Sequence, residues 1–230
     1  MSAIISLTTI PDRIEHIKPC IESLMRQGLP VYVWAVRKIE RSETVLEQVP
    51  AFLRESDAHV AIVDDRGPIT KLLPALEAGF ETIITADDDI VYGEGWADGL
   101  LEWGAKVDGA IGYRGRQLTG KGYITSRVVK HDKIDEPVRV DIITGVHGAL
   151  YRAEMFGASI FSEWRQSSTN DDLAITAHLE RRGVRRYVVP GDCRIKHQKL
   201  EYTTPLFDVN NADDARANDK VLRALGLMDA

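Results

Sequence analysis

The sequence predicts an α/β fold on a mostly parallel sheet, and three observations lead there. Short, nearly continuous apolar runs recur through the first half: AIISL at 3–7, VYVWAV at 31–36, VAIV at 60–63 and TIITA at 82–86. Between them lie stretches with apolar residues at helical spacing, so strands alternate with helices and require crossover connections. The runs also lack the alternation of a sheet with one wet face, and read as strands covered on both sides.

Ala3–Leu7 is the first strand, ended by Thr8-Thr9-Ile10-Pro11. Asp12 is placed to cap a helix running to Gln27, with Ile14, Ile17, Ile21, Leu24 and Met25 on one face, and Gly28-Leu29-Pro30 stops it. Val31–Val36 and Val60–Val63 follow as strands. Gly67-Pro68 then turns the chain into a helix over about 69–78 carrying Leu72, Leu73 and Leu76, and Thr82–Ala86 is the fourth strand.

The second half is less regular. Residues 113–139 are polar, basic and weakly periodic, which predicts a long loop or irregular hairpin, with Tyr113-Arg114-Gly115-Arg116 as a mobile lid. Val140–Ile143 reads as a strand, and GVHGALYRAEMF as a Gly-rich turn leading into a strand and a short helix. Asn170–Arg182 carries a full set of helix signals: Asn170 as cap, two Asp in the first turn, two Arg in the last and Gly183 behind. Tyr187–Val189 and Cys193–Lys196 read as short strands, and Asp213–Leu227 as an amphipathic helix through Ala217, Val221, Leu222 and Leu225.

With 230 residues, 44% of them hydrophobic, the chain suits one full-sized domain and excludes wholesale disorder. Cys20 and Cys193 form no C-x-x-C and no disulfide framework, which predicts a reducing compartment. No apolar run approaches the roughly 20 residues of a membrane span, and Pro11 and Asp12 come too early for a signal peptide. A cytoplasmic location is the expectation. Charge divides the chain: residues 1–109 are net −9, 110–199 net +6 and 200–230 net −3. Two surfaces with different partners follow from that division.

Three features could carry chemistry. Asp87-Asp88-Asp89 concentrates like charge directly after an apolar strand, where ligands bind in α/β sheets. On one strand face, Asp87 and Asp89 would sit roughly 6–7 Å apart, suiting a hard divalent cation that bridges carboxylates and a diphosphate. An acidic surface turn is the plainer alternative. Asn170-Asp171-Asp172 opens a helix, where acids are expected for the dipole alone. His197, in RIKHQK, reads as a surface histidine or as a metal ligand completing a site begun by Asp89.

In order and spacing, Asp87-Asp88-Asp89, Gly145-Val146-His147-Gly148, Asn170-Asp171-Asp172 and His197 resemble four motifs of the GT-A fold nucleotide-sugar glycosyltransferases, especially the family 2-like group. Those motifs are D-x-D, a Gly-containing acceptor loop, x-E-D and a C-terminal His, and SLTTIPDRI is similar to the first strand and nucleotide-contacting turn. The resemblance spans about residues 3–200, with Asp171 standing where Glu is commoner. It implies a single GT-A type domain over 1–230, with a nucleotide-sugar and metal half at 1–109, an acceptor half at 110–200 and a C-terminal tail and helix at 201–230.

The resemblance also implies roles. Thr8, Pro11 and Arg13 would line the nucleotide pocket and Asp65 would reach the base or ribose. Lys71 would approach the base or diphosphate, or else be a solvated helix residue. Asp87, with Asp88 beside it, would contact the donor, and Asp89 with His197 would hold Mn²⁺ or Mg²⁺. Asp172 would be the general base, with Asp171 raising its pKa, and inversion would follow. Gly145, Val146, His147, Gly148, Arg114 and Arg116 would meet the acceptor.

The implied activity is transfer of a sugar, hexose or pentose, from a nucleoside diphosphate sugar to a hydroxyl acceptor. The basic half, including Lys121, Arg127, Lys130, Arg181, Arg182, Arg185 and Arg186, suits a polyanion such as a phosphorylated or lipid-linked glycan, a membrane surface or a modified nucleic acid. A solvated charged face is the alternative. Trp96, Trp103 and Trp164 could stack on sugars or fill the core, and Trp34 reads as core.

A sugar-phosphate nucleotidyltransferase is disfavoured because SLTTIPDRI has no glycine, and a phosphohydrolase because no acidic nucleophile motif follows the first strand. A catalytically inactive carbohydrate- or nucleotide-binding module would leave Asp89, Asp172 and His197 unexplained. Neither G-x-x-x-x-G-K-[ST] nor G-x-G-x-x-G is present.

Overall fold

The computed structural model describes residues 3–40, 42–120, 122–167, 169–198 and 216–228. Four parallel strands form its base: β1 (Ala3–Thr9), β2 (Val31–Val36), β3 (His59–Val63) and β4 (Thr82–Ala86), side by side as β3-β2-β1-β4. Each is one of the apolar runs. Alternation along β1 sends Ile5 and Leu7 into one core and Ile4 into the other, so both faces are dry.

The later strands are β5 (Ile90–Tyr92), β6 (Ala110–Gly112), β7 (Arg114–Gln117), β8 (Arg127–Lys130), β9 (Val138–Arg139), β10 (Ile142–Ile143), β11 (Ala149–Arg152), β12 (Arg186–Val188) and β13 (Ile195–His197). Four of them extend the main sheet to eight strands, ordered β3-β2-β1-β4-β11-β6-β12-β9. β11 runs antiparallel to both β4 and β6, while β12 is parallel to β6. The result is the mostly parallel mixed α/β sheet that the sequence predicts. Smaller sheets, β10-β7-β8 and β13-β5, stand beside it.

Helices cover both faces. α1 (Lys18–Met25) and α4 (Trp96–Gly104) pack on the Ile5 side, with Ile21, Leu24, Trp96 and Leu100 buried. α3 (Leu73–Glu77), α5 (Ile160–Glu163) and α6 (Asp171–Arg181) pack on the Ile4 side through Leu73, Ile160, Ile175 and Leu179. The short α2 (Ala51–Arg54) precedes β3, and α7 (Arg216–Ala224) seats Leu222 against Ile142 and Leu173.

Several elements differ from the sequence expectation. The helix expected over 12–27 is a 3₁₀ turn at Ile14–His16 followed by α1. Pro19 has no N–H and its ring clashes with a preceding carbonyl, so it sits in the first turn of a new helix instead of inside a long one. Asp12 caps nothing; its carboxylate accepts from the Ser42 and Thr44 hydroxyls. Pro74 likewise splits the 69–78 helix into a 3₁₀ turn at Ile69–Lys71 and α3.

Residues 114–130 form the hairpin alternative, β7 against β8, and Arg114-Gly115-Arg116 lie in a paired strand, where a lid was expected. β5, β6 and α4 have no counterpart in the sequence reading. The Trp96 side chain is fully buried and its indole donates to the His147 carbonyl, so it is core. Trp34 is core as well. Trp103 is partly buried against it. Lys121 and residues 201–215, with the expected helix start at Asp213, lie outside the described residues.

Candidate active site

The carboxyl ends of β1 to β4 open into a cleft of about 1410 Å³, the place where α/β sheets bind ligands. Thr8, Arg13, Asp65, Lys71 and all three Asp of the acidic triplet line it. His197 also lines the cleft, as do Arg114, Arg116, Val146, His147, Asp171, Asp172 and Trp164. Pro11, Gly145 and Gly148 are buried behind this wall.

The triplet occupies a turn, since β4 ends at Ala86 and β5 starts at Ile90; the shared strand face expected for Asp87 and Asp89 does not form. The Tyr92 hydroxyl accepts from the Asp87 N–H at 2.8 Å and fixes the turn. The three carboxylates then diverge. Asp88 is buried, accepting from Thr9 Oγ1 at 2.7 Å and from Arg13 Nη1 at 3.0 Å. Burial pushes its carboxyl upward while Arg13 and Thr9 pull it back. Asp87 meets Lys71 Nζ at 2.7 Å. Asp89 has Arg13 Nη1 at 3.7 Å. Burial, with Asp87 and Asp88 alongside, pushes its carboxyl up to about 7.

Lys71 is neither solvated nor free. Its ammonium, buried at the 3₁₀ turn before α3, also meets Asp171 at 2.9 Å. Burial works against this charge, but Asp171, Asp87 and Asp172 outweigh it and hold the pKa well above the ordinary lysine value. The Lys71 carbonyl accepts from Ser6 Oγ, which in turn accepts from the Trp34 indole at 2.8 Å. The lysine backbone is thereby tied to β1 and β2.

Asn170 caps α6 by accepting from the Leu173 N–H at 3.2 Å, so the next two residues present carboxylates at the helix start. Asp172 Oδ1 accepts from the Gly145 N–H at 2.9 Å. Burial first and Asp171 second push the Asp172 carboxyl up to about 7, with Lys71 pulling against them. Gly148, at φ +99°, lets the backbone of the Gly145–Gly148 loop lie against the Trp96 ring, which an added Cβ would meet at 2.4 Å.

His197 ends β13, which runs antiparallel to β5 with His197 opposite Ile90; the following N–H, of Gln198, donates to the Asp89 carbonyl at 2.7 Å. The strand pair therefore brings the His197 and Asp89 positions together. The donor set is one imidazole and one carboxylate, because Asp87 and Asp88 are engaged elsewhere. Among the described residues no group of three or more His, Cys, Asp or Glu has metal-holding geometry. Two ligands of this chemistry fit Mg²⁺ or Mn²⁺ only where further oxygens come from a bound phosphate or water.

Arg114 donates to Thr144 Oγ1 at 3.0 Å, and Arg116 donates to the Tyr123 carbonyl and Ser126 Oγ while lying 4.3 Å over the Tyr123 ring. His147 stands between His131, edge-on at 5.8 Å between ring centroids, and His197, tilted at 6.5 Å. Burial and the nearby Arg114 push its imidazole down to about 4. Sequence reasoning missed Thr9, Tyr123 and Asn218. Thr9 falls in the turn that the sequence predicts at the end of the first strand, and nothing local marks the other two. Asn218 accepts from the Asn170 amide at 2.8 Å across a long sequence separation.

No family model matches the chain, and no curated protein matches its sequence. Among solved structures, the chain is similar to S. aureus TarS: 16% identity, a TM-score of 0.52, and coverage of 98% of this chain and 43% of that one. This likeness shows a glycosyltransferase-like fold. The chain spans less than half the length of TarS. No helix among the described residues is long and apolar enough to cross a membrane.

Proposed function

We propose that the chain is a glycosyltransferase that moves a sugar from a nucleoside diphosphate sugar to a hydroxyl acceptor, with inversion. The observation that carries this reading is the Lys71 bridge: one buried ammonium meets Asp87 of the acidic triplet at 2.7 Å and Asp171 of the helix-start pair at 2.9 Å. A donor-side carboxylate and the neighbour of a candidate base are thus held one side chain apart in a single cleft. The fold likeness to TarS, itself a glycosyltransferase, supports the same reading.

In this mechanism Thr8, Arg13 and Asp65 line the nucleotide end, with Asp87 near the ribose and Asp88 buttressing Arg13. Asp172 takes the proton from the acceptor hydroxyl as that oxygen attacks the anomeric carbon. A carboxyl held at about 7 suits the task, because about half of it is ionised at neutral pH and the ionised form is basic enough to accept a proton. The Gly145 N–H orients one oxygen and leaves the other for the acceptor. Asp89 and His197 would hold Mn²⁺ or Mg²⁺. When bound, the cation stabilises the departing nucleoside diphosphate.

The test is nucleoside diphosphate release from a panel of nucleotide sugars, with Mn²⁺ or with EDTA and no added acceptor. Cation-dependent release of one nucleotide by the wild type, lost in Asp89→Ala, is the expected result. No release from any donor, together with no cation-dependent rise in melting temperature with any donor, overturns the reading.

A further inference from the structure

We infer that the cleft carries an anion-binding subsite, built from Arg114, Arg116 and Lys130, for a phosphate ester on the acceptor beside the reacting hydroxyl. This rests on the transferase reading above and adds the acceptor's chemical class to it.

The cations lining the cleft divide into those already neutralised and those that are not. Of those lining the cleft, Arg13, Lys38, Arg66 and Lys71 each meet a carboxylate within 4.0 Å. Arg114, Arg116 and Lys130, among the described residues, meet none. They are also held together. Arg114 and Arg116 lie two apart on β7, and Lys130 is directly opposite Arg114 on β8. Residues two apart and residues directly opposite share a face, so three positive charges project to one side.

Gly115 fixes which side. An added Cβ there would meet the Ile142 carbonyl oxygen at 2.7 Å and Val188 Cγ2 at 2.8 Å, so that face is packed and the charged face is the cleft face. Like charges directly opposite one another destabilise a hairpin, and nothing in the packing requires them. The arginines are oriented by neutral acceptors, Thr144 Oγ1 for Arg114 and the Tyr123 carbonyl and Ser126 Oγ for Arg116. Tyr123 is itself anchored, its N–H donating to Asp219 Oδ1 of α7 at 2.6 Å. Oriented, unneutralised guanidinium groups are the chemistry that binds phosphate oxygens.

The subsite lies on the base's side of the cleft. Burial and the Arg116 charge lower the Arg114 pKa, and Asp172 is near enough to act against them. The carboxylates at the donor end are matched by Arg13 and Lys71, so the free positive charge faces the acceptor.

The experiment is titration calorimetry of the full chain, without nucleotide, using sn-glycerol 3-phosphate, glycerol and a glycerol phosphodiester as probes. Saturable binding of the phosphate esters but not glycerol is expected, weakening as salt rises. A preference between monoester and diester identifies which source of phosphate the subsite suits. Arg114→Gln and Arg116→Gln should each weaken binding about tenfold, Arg116→Lys should weaken it less, and Arg185→Gln, paired with Asp108 away from the cleft, should leave it unchanged. The melting temperature of Arg114→Gln should hold or rise as its repulsion with Lys130 is relieved.

Absence of saturable phosphate binding, equal loss in Arg185→Gln, or a drop of several degrees in the melting temperature of Arg114→Gln overturns the inference. So does full displacement of the phosphate probe by a nucleoside diphosphate, which would assign these cations to the donor. The two readings fail separately: donor turnover without phosphate binding removes the subsite alone, and phosphate binding at the arginines without donor turnover removes the transferase reading.

Discussion

The Lys71 ammonium lies 2.9 Å from the Asp171 carboxylate, with side-chain exposures of 6% and 10%. It joins the turn before α3 to the start of α6, and it reaches Asp87 from the same position. Both sides of the cleft are thereby fixed to one buried charge.

Removing that charge leaves buried carboxylates unpaired, and breaking a buried pair costs about 3–5 kcal/mol. Lys71→Met is expected to lower the melting temperature markedly and to abolish donor turnover. Asp171→Asn, which retains an acceptor for the ammonium, should lower it less. Thermal unfolding of the two variants side by side checks the ranking; equal stability of wild type and Lys71→Met would remove the bridge from the account.

Asp172 predicts a pH dependence. Its carboxyl is held up at about 7 and, as the proposed base, it works ionised, so the transfer rate should fall about tenfold per pH unit below about 7 and level off above it. The effect on stability has the opposite sign from that of a salt-bridged acid. Between the unfolded value near 3.8 and about 7 the folded chain binds the extra proton, so stability falls as pH rises through that window. Asp172→Asn should therefore melt higher than wild type at pH 8, by about 2–4 °C per kcal/mol recovered, and close to wild type at pH 4. The same substitution should reduce transfer at least a hundredfold, within the range general bases contribute.

The acidic triplet divides into separable roles. Asp89→Ala should remove the cation dependence of nucleotide release with little change in melting temperature, because its carboxylate meets Arg13 only at 3.7 Å and its backbone bond to Gln198 survives the substitution. Asp88→Ala strands Arg13 and Thr9 in a buried site and should destabilise by about 1–3 kcal/mol. Melting temperatures read with and without Mn²⁺ separate the two.

Gly148→Ala tests the acceptor loop. The new Cβ meets the Trp96 ring at 2.4 Å from a backbone at φ +99°, so strain and overlap together should cost about 2–4 kcal/mol. Because the His147 carbonyl accepts from the same indole, the loop should shift and transfer should fall with stability. Gly120→Ala, also at positive φ but with open space around it, should cost less.

The four parallel strands and the cap of α6 were legible in the sequence because their signals are local. A strand buried on both faces must be apolar along its length, and a helix start needs an acceptor for its free N–H groups, whatever lies elsewhere. The acidic triplet was legible for a similar reason, since three adjacent carboxylates are conspicuous without any partner. The inner division of labour was not. That Asp88 turns inward, Asp87 faces Lys71 and Asp89 stays comparatively free follows from where Thr9, Arg13 and Lys71 arrive in space.

The basic segment shows the limit most clearly. Residues 113–139 carry no periodicity because β7 is held by pairing with both β8 and β10, and the register of Arg114 opposite Lys130 is a long-range choice. Composition determined that this half is positive. Only the tertiary structure decided that Arg114, Arg116 and Lys130 share one face of one hairpin, because strand pairing selects side-chain faces and sequence separation carries no record of it.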